Sequence, residues 1–222
     1  LMALTKFNFN SFDVTSAAST GLGFNSSANG FSTFNPGAMT LIKTITASSD
    51  STISFVDGSS SVVLDNTYPI YMFKYISCHP STGAGFRLNF SADGGSNYNV
   101  TKTSTTFVGY HREDDSQAVL TYRTQDDLAQ GTGVQHLTGS DIVGDDNDQS
   151  ISGEMFLFNP SSTTFVKHFI ARSNFYGASD FSMNFFAAGY CNTTSAIDGV
   201  QFTMSTGNID SGTIKLYGIK DS

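Results

Sequence analysis

Residues 68–99, YPIYMFKYISCHPSTGAGFRLNFSADGGSNYN, set the pattern for the rest of the chain. Ile70, Tyr71, Met72, Phe73, Tyr75 and Ile76 make a run that is apolar on both faces apart from Lys74. Such a run predicts a strand inside a sheet, not at its edge. After a Pro-Ser-Thr-Gly-Ala-Gly turn, Phe86, Leu88 and Phe90 alternate with Arg87, Asn89 and Ser91, the period of a half-buried strand. The two runs read as a hairpin around which further strands are added.

Similar short runs recur along the chain, at 39–47, 51–56, 61–64, 98–101, 106–110, 118–123, 151–158, 163–172, 181–191, 199–205 and 212–220. Turn formers close most of them: Asp57-Gly58, Asp65-Asn66, Asp93-Gly94-Gly95 and Asn159-Pro160 tolerate positive φ or make side-chain turns. Asp93-Gly94-Gly95 reads as a hairpin tip, and 106–110 with 118–123 as a second hairpin. Many short strands with regular turns and no long helix predict an all-β fold, an antiparallel two-sheet β-sandwich over residues 39–222.

Two segments depart from this rhythm. Residues 1–38 carry Phe7, Phe9, Phe12, Phe24, Phe31 and Phe34 among Ser, Asn and Gly, with neither a helical nor a strand period. So many aromatics suit an extended arm that packs on its own sandwich or on a neighbouring subunit. Residues 124–150 hold six aspartates and few apolar residues, and read as a long acidic surface excursion.

The 20 Phe, 9 Tyr and 21 Gly, with no Trp, agree with strands and tight turns. The formal charge is −8, and no two Lys or Arg residues are adjacent. A nucleic-acid partner is therefore not expected, since phosphate neutralisation needs a basic stripe. An anionic membrane surface is disfavoured for the same reason. No apolar stretch approaches the roughly 20 residues that span a bilayer, and the N-terminus lacks the features of a signal peptide. Cys78 and Cys191 are too few for a disulfide framework; they read as two free buried thiols, with a single bridge as the alternative.

Candidate chemistry is sparse. His79, His111, His136 and His168 have no metal-ligand spacing. Asp145, Asp146 and Asp148 offer carboxylates from one loop and are candidates for calcium, although the spacing does not fit an EF-hand; a solvated acidic loop is the competing reading. No nucleophile elbow, P-loop or dinucleotide fingerprint is present, so no catalytic residue and no cofactor is expected. Glycosidase chemistry would need two carboxylates facing each other across a groove. Aromatic and amide side chains near turns suit sugar contact: Asn97, Tyr98 and Asn99, Tyr110 with His111, and Asn174 with Tyr176.

The segments I-S-F-V-D-G-S-S, Y-P-I-Y-M-F-K-Y and F-R-L-N-F-S-A-D-G-G-S-N-Y, together with residues 208–219, resemble virion structural proteins of tailed bacteriophages, especially marine ones. The resemblance covers residues 39–222 and implies a jelly-roll or related sandwich serving as a tail, fibre or capsid-surface component. It further implies a homo-oligomer, with three copies favoured, other virion proteins as partners, host-surface glycans as possible ligands, and synthesis in a host cytoplasm. A stand-alone carbohydrate-binding module and a polysaccharide-degrading enzyme are the competing classes.

Overall fold

The computed structural model describes residues 21–24, 31–34 and 37–220. The chain divides into two compact units, residues 1–37 and 38–222. In the first, β1 (Gly21–Phe24) and β2 (Phe31–Phe34) form an antiparallel hairpin, with Gly21 opposite Phe34 and Phe24 opposite Phe31. The sequence pattern had predicted no regular element there. Phe7, Phe9 and Phe12 of the expected arm lie outside the described residues.

The second unit is all-β. Its strands are β3 (Met39–Thr46), β4 (Thr52–Val56), β5 (Ile70–Pro80), β6 (Phe86–Ser91), β7 (Lys102–Arg112) and β8 (Ala118–Tyr122). They continue with β9 (Gln135–His136), β10 (Ile151–Phe158), β11 (Lys167–Gly177), β12 (Phe181–Cys191), β13 (Gly199–Met204) and β14 (Ile209–Ile219). Eight form one antiparallel sheet in the order β3-β14-β5-β10-β11-β12-β7-β8, and four form the other, β4-β13-β6-β9.

The order has a simple logic. If β7, β8, β11 and β12 are set aside, the first remaining strand pairs with the last (β3 with β14) and the second with the second-last (β4 with β13). The pairs β5 with β10 and β6 with β9 follow in the same way. An eight-stranded antiparallel ribbon paired in this manner and rolled into two sheets is a jelly roll. The four strands set aside extend one sheet beyond the roll.

The expected hairpin of residues 68–99 is not one. β5 does lie inside its sheet, between β14 and β10, but β6 belongs to the other sheet, between β13 and β9. The turn at 81–85 crosses from one sheet to the other, because each strand has an apolar face to bury and the two faces meet across the core. Asp93-Gly94-Gly95 is likewise a crossover turn, with Gly94 at φ 69° and Gly95 at φ 77°. The second expected hairpin is present: β7 pairs with β8, Phe107 opposite Tyr122 and His111 opposite Ala118. Residues 61–64 and 98–101 are not strands.

Phe202 of β13 is the hub of the core. Its ring lies 5.7 Å from Phe73, 5.7 Å from Phe86, and 6.3 Å from both Phe55 and Tyr75. Phe73 and Tyr75 come from the large sheet and the others from the small one, so one side chain ties the two layers together. Further along, Phe90 meets Phe169 at 5.3 Å. The alternation in β11 follows the same rule: Phe169, Ala171, Ser173 and Phe175 point inward, and His168, Ile170, Arg172 and Asn174 point outward.

Two lysines break the pattern. Lys102 and Lys167 begin β7 and β11, are fully buried, and sit on either side of Cys191 in the register across β12. Each ammonium is held by neutral oxygens, Lys102 by Asn89 Oδ1 at 2.6 Å and Val100 O at 2.7 Å, and Lys167 by Thr193 O and Ser195 O. Burial pushes the Lys102 pKa down to about 8 and that of Cys191 up to about 12, the lysines opposing the latter shift. Cys78 is likewise pushed up to about 12 by burial. Both cysteines are free. They stand on strands three places apart in the sheet, and in the register Cys78 lines up with Met183 at the opposite end of β12 from Cys191, about 30 Å away at ordinary strand spacing and rise, too far for a bridge.

Among the described residues no helix is long and apolar enough to cross a membrane. Phe202→Ala is expected to lower the unfolding free energy by about 3–5 kcal/mol, the range for emptying a large aromatic site, read by urea denaturation. Native protein at pH 8 should leave both thiols unlabelled by Ellman's reagent, and unfolding in guanidinium should release two reactive thiols per chain.

Candidate functional site

The hollow with the richest mix of side chains lies where the β7–β8 hairpin, the segment 140–142 and the β11–β12 turn come together. Its volume is about 500 Å³, and its lining includes Tyr110, Gln117, Arg123, Ser140, Asp141, Ile142 and Phe181. Tyr110 arrives on β7 and Phe181 at the start of β12. Their rings meet edge to face at 5.5 Å, and the Arg112 guanidinium lies 5.5 Å from the centre of the Phe181 ring. Gln117 Nε2 reaches the Tyr110 hydroxyl at 3.5 Å.

The floor is ionic. Arg123 follows β8 and donates through Nη2 to Asp141 Oδ2, both side chains being largely buried. Arg123 Nε is buried with no hydrogen-bond partner among the described residues. Desolvation raises the Asp141 pKa above its ordinary value, with Arg123 acting in the opposite direction. The rim is strained: Ser179 and Asp180 have φ of 83° and 66°, the left-handed region that non-glycine residues seldom occupy.

The segment 124–150 builds much of this region and runs inward as well as outward. β9 pairs with β6, Thr138 Oγ1 accepts from the Phe86 N–H, and Val143 bridges both Ala84 and Gly177. Asp126 is 1% exposed, and neither of its carboxylate oxygens has a hydrogen-bond partner among the described residues. A side chain at Gly139 would run into Asp126 Oδ2, so the carboxylate is sealed beneath the loop. Asp126 and Asp141 are near enough for one charge to act on the other. They do not face each other across the hollow, because Asp126 does not line it, and glycoside hydrolysis needs both carboxyls open to one substrate.

The sugar-contact candidates are divided by the fold. Tyr110 lines the hollow. His111, exposed on the outer sheet face, bonds Asp115 at 3.0 Å. Tyr176 lies in the same cross-strand row as His111, with Ser182 between them, and its hydroxyl donates to Asp180 at 3.1 Å. Asn174 Nδ2 donates to Met183 O at 3.0 Å. Asn97, Tyr98 and Asn99 sit beyond the other end of β7, about 30 Å away for a strand of that length. There Asn97 is tied to Asp93 and Tyr98 packs beside Val56 and Gly95.

Asp145, Asp146 and Asp148 are exposed in a turn, where Asp146 N–H bonds Gln149 Oε1 at 3.2 Å and Asp146 O receives the Gln149 N–H at 2.9 Å. Among the described residues no group of three or more His, Cys, Asp or Glu side chains converges as a metal site. Arg123, Asp141, Gln117 and Phe181 were not singled out by sequence. Only the scarcity of cations, 11 Lys and Arg in all, marks Arg123 as unusual.

Because the folded pKa of Asp141 lies above its unfolded value, the stability that its protonated form contributes is present below about pH 4 and lost as pH rises through the folded value. Asp141→Asn removes that loss. Urea unfolding between pH 3.5 and 7 should show wild type losing stability relative to the Asn variant as pH rises; a constant difference would exclude this sign. Set beside protein-family models, curated proteins and solved structures, the chain matches none of them, so the reading of the hollow rests on its own residues.

Proposed function

We propose that this chain is a non-enzymatic structural protein of a tailed-phage virion, a tail, fibre or capsid-surface component that assembles from identical copies and meets host-surface glycans. The carrying observation is the outer face of the eight-stranded sheet. Among the described residues most large apolar side chains that remain exposed lie on this one face, including Met39, Leu41, Ile76, Phe107 and Ile170. One cross-strand row reads Tyr122, Phe107, Phe186, Arg172, Glu154, Lys74 and Lys215. Phe107 stacks on Phe186 at 4.6 Å, and Arg172 lies 5.3 Å from the centre of the Phe186 ring. A face that carries so many exposed apolar side chains between its charges suits an interaction surface, and many copies of one chain most simply cover it by symmetry.

The hollow around Tyr110 supports the glycan part of this reading: an aromatic pair, a guanidinium and an amide meet in a space large enough for a sugar ring. The same feature favours a second reading, a stand-alone carbohydrate-binding module. Light scattering on the full chain near neutral pH separates the two. An oligomer is expected, three copies pointing to a fibre or receptor-contacting part. A monomer at every concentration overturns the assembly reading and leaves the binding module. Saturation-transfer NMR with hexoses, N-acetylhexosamines and hexuronates should detect binding that Tyr110→Ala abolishes; no transfer from any of them overturns the glycan reading.

A further inference from the structure

The two edges of the large sheet differ. β3, at one end, contains Lys43, whose ammonium reaches across to Ser60 O at 3.0 Å, and its pairing with β14 is interrupted by a register shift at Leu216 and Tyr217. A lysine and a bulge are both devices that discourage pairing with another chain. β8, at the other end, is Ala-Val-Leu-Thr-Tyr: it has no charge, no proline and no bulge, and four of its five residues are exposed. Leu120 is 75% exposed and Tyr122 49%.

Among the described residues no strand pairs with the outer edge of β8, where the one side-chain bond is from Thr121 Oγ1 to one lone pair of Tyr122 O at 3.2 Å. Arg123 N–H donates to Thr106 O, and Arg112 N–H donates to Gln117 O, which fixes the hydrogen-bonded positions at 117, 119, 121 and 123. In an antiparallel ladder the intervening residues turn their N–H and C=O groups the other way. Ala118, Leu120 and Tyr122 therefore present a row of backbone donors and acceptors to the free edge, with their side chains on the outer sheet face.

This row is complementary to itself, and we infer that β8 pairs antiparallel with β8 of a second copy about a two-fold axis at Leu120. Leu120 then faces Leu120, and Ala118 faces Tyr122 of the second copy in both directions. Each of the three pairs exchanges two backbone hydrogen bonds, six in all. The Leu120 side chains of the two copies become neighbours on one face, and the row Phe186, Phe107, Tyr122 of one copy continues into Ala118 and His111 of the second copy. The inference rests on the assembly reading and adds to it a contact at the sheet edge, since edge pairing widens the outer face without covering it.

The test uses the full chain. Light scattering should give twice the chain mass of 23.8 kDa, with dissociation at low concentration. Leu120→Pro removes an N–H that points to the open edge and none that pairs with β7, a substitution edge strands accept. It should yield a monomer whose circular dichroism matches wild type. In Leu120→Cys, the two-fold places the new cysteines at a Cα separation of about 5.5 Å, within disulfide range. Mild oxidation should cross-link this variant into a dimer at least tenfold faster than Val119→Cys or Thr121→Cys. An oligomer unchanged by Leu120→Pro, a trimeric wild type, or equal cross-linking of all three cysteine variants overturns the β8 contact alone. A monomeric wild type overturns the assembly reading with it.

Discussion

Strands spaced about 4.8 Å apart make a four-stranded sheet about 19 Å wide and an eight-stranded one about 38 Å wide, so the smaller layer of this sandwich can cover only half of the larger. The inward side chains of β11, β12 and β7 still need burial, and loop residues supply it. The segment between β8 and β10 passes beneath them, with Leu128 bonded to Ser104 and Gly139 set against Phe185. Asp126, Gln135, Thr138 and Gln149 become buried as a consequence, since irregular chain brings polar groups wherever it goes. The ionic floor of the Tyr110 hollow is an outcome of the same mismatch in width.

The mismatch also accounts for the buried lysines. At the start of β7 and β11 the covering layer is made of turns, whose carbonyls point in several directions. Val100, Thr193 and Ser195 offer backbone oxygens there in place of apolar surface, and Asn89, on strand β6, adds its side-chain amide oxygen to the Lys102 site. A long stem that buries its methylenes and ends in three donors fits that lining. With no carboxylate partner among the described residues the buried charge is costly, which is why the Lys102 pKa falls.

What the sequence discloses is local. The alternation of Phe86, Leu88 and Phe90, the apolar run of β5 and the turn between β7 and β8 identify strands correctly, because side-chain period depends only on neighbours along the chain. Which sheet a strand joins depends on the far side of the core. Nothing within residues 68–99 states that β5 and β6 face each other across it. The segment 124–150 misleads for a related reason: aspartates and glycines have the same composition in a solvated loop as in a loop that seals a layer. Of the hollow, Tyr110 is visible as an aromatic next to a turn, whereas Arg123, Asp141 and Phe181 meet it only through the fold.

β14 lies between β3 and β5 in the large sheet. While the chain is being made, β3 has no neighbour in its own sheet until residues 209–219 have emerged, and one edge of β5 stays bare for the same interval. The jelly roll is thus closed by its last strand, and most of its pairings join segments remote in sequence. Chains of such high contact order fold slowly and expose unpaired strands as they wait. The feature that makes the mature sandwich continuous therefore makes its birth the period of greatest risk, when a chaperone or a low synthesis rate decides between folding and aggregation.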